Sequence, residues 1–200
     1  VVIMGAGIPI EIPGVMDRLM QHASTSYPAH VQGFESKDPP RYHFNPADFA
    51  EPETPSTPLV RPAFFPIVSS GVLAKTLCRR ATGSIEGLIV EGPKAGGHNA
   101  PPRGVGELDA FGQPIYGPRD EVNLQQIRDL GLPFWLAGTY GSPERLQEAL
   151  AEGAAGVQVG TAFALCQESG LMPSIRRTLV QQALRGELAI FTDPDASPTG

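Results

Sequence analysis

Residues 91–98 read Glu-Gly-Pro-Lys-Ala-Gly-Gly-His and follow directly on the apolar run Ile85 to Val90. A carboxylate, paired glycines and a histidine at the end of a buried strand are the residue types for proton transfer beside a flat, anionic ligand. Gly96 and Gly97 let backbone N–H groups approach such a ligand closely. The His98 imidazole exchanges a proton near neutral pH. Glu91 needs a partner at a buried strand end: a cofactor N–H or diol, or neighbouring backbone amides.

Two further segments are candidates for holding phosphate. Ala137-Gly138-Thr139-Tyr140-Gly141-Ser142 and Gln158-Val159-Gly160-Thr161 each run from a strand end through glycine into a helix start. Free N–H groups at such starts bind phosphate, and consecutive strand–helix loops do so in (β/α)8 barrels. Ordinary turn glycines are the alternative, which the pairing of two such loops disfavours. Ser69, Ser70 and Lys75 follow another strand, either as polar groups near a cofactor ring or as a helix cap and a solvated lysine. His22, His30 and His43 read as surface or lid residues. No two histidines have ligand spacing, so no metal is expected. Gly5-Ala6-Gly7 has Pro9 and Ile10 where a dinucleotide motif needs a helix and a third glycine, so it reads as a tight turn.

The elements that must position these residues are legible as short apolar runs: Val1–Met4, Phe64–Ser69, Ile85–Val90, Phe134–Ala137 and Gly156–Val159. Nearly continuous apolarity marks strands of a parallel sheet buried on both faces. Amphipathic text between them predicts helices over Val72–Cys78 and Asp120–Leu130, and a third starting at Ser142-Pro143-Glu144 and stopping at Gly153. The last four strand centres fall near residues 66, 88, 136 and 158, so a strand–helix unit is about 22 residues. The longer middle step holds Gly96–Gly117, hung where barrels place their chemistry. A proline-rich excursion at about residues 22–62 lacks periodicity; an ordered lid and a disordered linker are comparable readings for it.

The chain has 200 residues, 41% hydrophobic and 18% charged, with a net charge of −6. This is a globular composition with room for one core, and the acidic balance argues against nucleic acid as a partner. No apolar run spans a membrane. Cys78 and Cys166, both expected in helices, suit reduced thiols of a cytoplasmic protein and disfavour a catalytic loop cysteine.

Taken together, Glu91-Gly92-x-x-Ala95-Gly96-Gly97-His98, Ala137-Gly138 and Gln158-Val159-Gly160-Thr161 resemble the nitronate monooxygenases, also called 2-nitropropane dioxygenases. The resemblance covers most of residues 1–170. It implies an FMN-dependent (β/α)8 barrel acting on a small-molecule substrate with O2, of which this chain holds about strands 4 to 8. It implies that Gly138 and Gln158 to Thr161 hold the FMN phosphate, that Glu91 and Gly96 lie along the flavin, and that His98 is the catalytic base. Two departures stand out. Thr139 occupies a position that is often glycine in the family, and Glu91 one that is often glutamine. Glutamate there, and a Ser-x-x-x-Ala-Lys pattern like Ser70 to Lys75, are familiar from FMN-dependent enoyl-acyl-carrier-protein reductases, an alternative activity. Both chain ends read as cut, so the isolated 200 residues are expected to be poorly stable and to bind FMN weakly.

Overall fold

The computed structural model describes residues 1–5, 7–29, 38–49, 57–96, 99–104 and 106–196. Its main sheet contains β1 (Val2–Met4), β4 (Phe64–Val68), β5 (Leu88–Glu91), β6 (Phe134–Ala137) and β7 (Gly156–Gln158), side by side in that order. Every pairing in it is parallel. Strands adjacent in the sheet in chain order, with a helix in each of the four connections, are the winding of a (β/α)8 barrel. The class is therefore α/β, as the sequence predicts, with five strands in one parallel sheet.

The excursion between β1 and β4 holds helix α1 (Ile12–Met20) and an antiparallel hairpin of β2 (Thr25–Pro28) and β3 (Arg41–Phe44). Part of the stretch, including His30, lies outside the described residues.

Helices α2 (Gly71–Arg80), α3 (Leu124–Arg128), α4 (Pro143–Ala151), α5 (Thr161–Ala164) and α6 (Pro173–Leu184) complete the architecture. Three of them start on side-chain caps. Ser70 accepts from the Leu73 N–H, Asn123 from Gln125 and Gln126, and Ser142 from Arg145, each removing an unpaired helix-end donor. The Asn123 cap explains why the helix expected over Asp120–Leu130 shrinks to Leu124–Arg128: Asp120 instead accepts from the N–H groups of Gly117 and Arg103.

Alternation sorts the sheet residues onto two faces. Val68, Leu88, Val90, Phe134 and Leu136 turn to the helix side and are buried against Ala74, Leu77, Ile127 and Ala149, and Phe64 on the same face is buried too. On the other face Phe65 stacks on Trp135 with ring centroids 4.8 Å apart. Strand β5 starts at Leu88 rather than Ile85 because residues 84–86 serve a charged junction. Arg61 donates to Glu86 at 2.9 Å and to the Ser84 carbonyl at 2.8 Å, and pairs with Asp17, while Glu86 also accepts the Phe64 N–H at 2.8 Å. This junction ties α1 to the starts of β4 and β5. One further expectation is corrected. Cys78 lies in α2, but α5 stops at Ala164, so Cys166 sits in the bend beyond it; both thiols are free and exposed.

Candidate functional site

Parallel register does the first positioning. Glu91 lies opposite Ala137, and Ala137 opposite Gln158, so the three form one row across the C-terminal ends of β5, β6 and β7. Two residues earlier in the same strands come Ile89, Trp135 and Gly156, hence the row shares the face that carries Trp135.

Above this row opens a cleft of about 920 Å³, within the range of cofactor pockets, and most of its lining is apolar. Glu91, Gly96, Gly138, Gln158, Val159, Gly160 and Thr161, separated by up to 70 positions in the chain, all line it. Gly5, the residue after β1, does too. Ser69 lies elsewhere, in a small chamber behind Glu91. Lys75 is on the exposed face of α2 and lines neither cavity, which favours the solvated-lysine reading over a place beside a cofactor ring. Gly97 and His98 lie outside the described residues.

Two local features bear on whether the cleft could hold a flavin. Gln158 Oε1 is buried with no hydrogen-bond partner among the described residues, an acceptor that a ligand N–H would satisfy. Gly138, at φ +89°, brings its backbone against the 92–96 loop: a Cβ there would stand 2.9 Å from the Ala95 nitrogen. The site therefore has a tight backbone contact between Gly138 and the 92–96 loop and a free polar acceptor in Gln158 Oε1.

A family model described as nitronate monooxygenase matches residues 52–192. The chain belongs to that family. Among curated relatives, it is 34% identical over 101 residues to a nitronate monooxygenase of Paraburkholderia phytofirmans, covering 50% of this chain and 26% of that protein. It is 28% identical over 132 residues to a 5-hydroxy-7a-methyl-1-oxo-octahydro-1H-indene-4-carboxyl-CoA dehydrogenase of Mycobacterium tuberculosis, covering 66% of this chain and 34% of that one. The chain thus spans about a third or less of the length of these relatives. A FabK mutant from Thermotoga maritima aligns at 25% identity over 60% of this chain and 35% of its own, with a TM-score of 0.45. Nitronate monooxygenases are flavin-dependent oxidoreductases as a family, and the unpartnered Gln158 Oε1 suits an N–H of such a group.

Electrostatics single out Glu91 among the residues lining this cleft. Burial pushes its carboxyl above the usual carboxylate range, partly offset by the Ala100 N–H that it accepts. Tyr116, which donates from Oη to the Ala100 carbonyl at 3.1 Å, is also raised, first by burial and then by the charges of Asp120 and Glu91.

Several contributors escaped the sequence reading. Leu179, Leu188, Ala189 and Ile190 wall the cleft from the C-terminal side, and Thr192 anchors that segment by donating its N–H to Gln113 Oε1 at 3.1 Å. The apolar run Leu188 to Phe191 after a polar stretch was the available signal. Lys94 and Tyr140 line the cleft as well. Arg145 lies 5.0 Å over the Tyr140 ring and donates to Thr139 Oγ1 at 3.4 Å.

Thr139 has φ +64°, a conformation that is a genuine outlier for a β-branched residue. Left-handed backbone costs a non-glycine residue roughly 1–2 kcal/mol, against roughly 0.5–1 kcal/mol of extra entropy lost by glycine. Thr139→Gly is therefore expected to stabilise the protein by up to about 1 kcal/mol, read as a higher urea midpoint without flavin. An unchanged or lower midpoint would mean that the Arg145 contact outweighs the backbone strain.

Proposed function

We propose that the protein binds FMN in the cleft above the Glu91–Ala137–Gln158 row and oxidises nitroalkanes or nitronates to carbonyl compounds and nitrite with O2. The observation that carries this reading is the convergence of the 138–142 and 158–161 segments on one cleft with Glu91 and Gly96, in a chain of this family. The two segments hold the phosphate, Gln158 accepts a ring N–H, and Glu91 and Gly96 lie along the flavin. His98 takes the α-proton of a nitroalkane as a neutral imidazole. The bound flavin supplies the electron-transfer chemistry to substrate and oxygen, and the protein supplies position and charge. The whole chain reads as part of one flavin-binding barrel domain, with the hairpin excursion as an appendage. Its partners are the small-molecule substrate and O2. No helix among the described residues is long and apolar enough to cross a membrane, and the free thiols Cys78 and Cys166 suit the reducing cytoplasm.

The test is purification with a flavin absorption spectrum, followed by O2 uptake and nitrite release on a nitroalkane. A colourless protein that stays colourless with added FMN would sink the proposal. A second reading, an NAD(P)H-dependent enoyl-thioester reductase, is favoured by glutamate at position 91 and by a relative whose substrate is a CoA thioester. Fast anaerobic bleaching of the flavin by NAD(P)H supports that reductase; no bleaching supports the oxygenase.

A further inference from the structure

Loop 92–96 walls part of the cofactor cleft through Lys94, Ala95 and Gly96, yet it belongs to no strand or helix. Its backbone must therefore be held by other groups. On one side Gly138 presses against Ala95. On the other stands Asn99, which donates from Nδ2 to the Pro93 carbonyl at 3.1 Å and to the Ala95 carbonyl at 3.4 Å. The two acceptors match the two hydrogens of one primary amide. Asn99 is itself part of a fixed strap, residues 99–103. Arg103 donates from Nη2 to the Ser69 carbonyl, just past β4, at 2.6 Å and from Nη1 to the Arg119 carbonyl. Its backbone N–H goes to Asp120 at 2.7 Å, and Tyr116 Oη donates to the Ala100 carbonyl at 3.1 Å. Asn99 lines the chamber behind Glu91 and not the cleft, so any effect it has on a ligand passes through the loop.

We propose that Asn99 is a positioning residue of the flavin site: its amide, carried on the strap that Arg103 anchors, holds loop 92–96 where it walls the cleft. This rests on the reading above that the cleft takes FMN. The physical argument is pre-organisation. Loop 92–96 contains two glycines, Gly92 and Gly96, and glycine loses more conformational freedom on ordering than any other residue. With the Asn99 amide in place that ordering is complete before a ligand arrives. Without it, the Pro93 and Ala95 carbonyls lose this donor, and a ligand must order the loop at the expense of its own affinity. The amide is specific. An aspartate of the same shape donates nothing when ionised, and its oxygens would face two carbonyl oxygens. Arg103 acts one step further out, by fixing the strap to the end of β4 and to the 117–120 turn.

The experiment titrates FMN into the wild type, Asn99→Asp, Asn99→Ala and Arg103→Lys without denaturant, and measures their urea midpoints separately without flavin. Asn99→Asp is expected to raise the FMN Kd about tenfold or more. Relative to the wild type at each pH, that loss should shrink as pH falls and the carboxyl regains a proton to donate to one carbonyl. Asn99→Ala should lose affinity without this recovery, because it has nothing to titrate. Arg103→Lys keeps the charge but not the fork that reaches two carbonyls, and should show a smaller loss. A strap that merely stabilises the fold would lower the urea midpoints and leave the FMN Kd at the wild-type value in every variant, and that result would overturn the proposal. So would an Asn99→Asp loss that does not change with pH. Should Asn99→Asp not fold, the Kd values of Asn99→Ala and Arg103→Lys decide. A wild type that binds no FMN defeats the functional reading and this inference together, whereas a wild type that binds FMN beside variants of equal affinity defeats this inference alone.

Discussion

His98→Asn is expected to lower nitroalkane turnover by about 10²–10⁴-fold, the usual contribution of a positioned general base, while FMN stays bound. Asparagine keeps a polar group of similar reach but cannot take up a proton. The loss should therefore fall on the step that breaks the C–H bond. A nitronate arrives already deprotonated, so its turnover should drop far less. Steady-state assays on the same nitro compound in its two forms check this directly. A parallel fall on both would move His98 from base to binding group, and undiminished nitroalkane turnover would remove it from the mechanism. The pH profile adds a sign: with His98 as the base, nitroalkane kcat/KM in the wild type should rise with pH and should lose that limb in His98→Asn.

The second large effect is expected at Gly138. Its φ of +89° alone makes any side chain strained, and a Cβ would lie 2.9 Å from the Ala95 nitrogen and 3.1 Å from the Ala95 Cα. Both neighbours are backbone atoms of a buried residue, and the Ala95 N–H is committed to the Gly92 carbonyl at 3.0 Å. No flexible side chain is available to yield. Gly138→Ala is therefore expected to destabilise the protein by about 2–4 kcal/mol, backbone strain and overpacking together. It should also weaken FMN binding at least tenfold by parting the 138–142 segment from the 92–96 loop, a separation worth about 1.4 kcal/mol per decade. Urea unfolding and flavin titration read the two effects separately. Wild-type affinity with wild-type stability would show that this close approach is not needed. Thr139, one residue on, responds in the opposite direction because there the strained residue already carries its side chain.

Legibility in the sequence followed the range of the interaction. A short continuous apolar run bounded by turn residues reads as a strand of a parallel sheet, and Phe134–Ala137 is legible to the residue, whereas the equally apolar β1 leaves Val2 and Ile3 exposed. Ser142 and Pro143 mark a helix start through contacts within three residues, and α4 begins there. The start of strand β5 is displaced by three residues from the sequence expectation because Glu86 answers to Arg61, 25 positions away. The helix over residues 120–130 is shorter than its periodicity implies because Asp120 is engaged by Arg103, 17 positions away. Glu91, Gly96, Gly138 and Gln158 to Thr161 stand out as candidates because glycine and polar residues at the ends of apolar strands are conspicuous. Leu188 to Ile190 do not, because apolar residues beyond the last helix carry no local mark of what they cover.

Local chemistry thus suffices for the class of fold, the order of its strands and the residue types gathered at their C-terminal ends, since backbone preference and apolar periodicity act over a few residues. Three matters rest on the folded chain alone. They are the alignment of Glu91 with Gln158 across an intervening strand, the close approach of Gly138 to Ala95, and the small chamber behind Glu91. Each is set by register and by contacts between segments 17 to 67 residues apart, and no short window of the chain contains both partners.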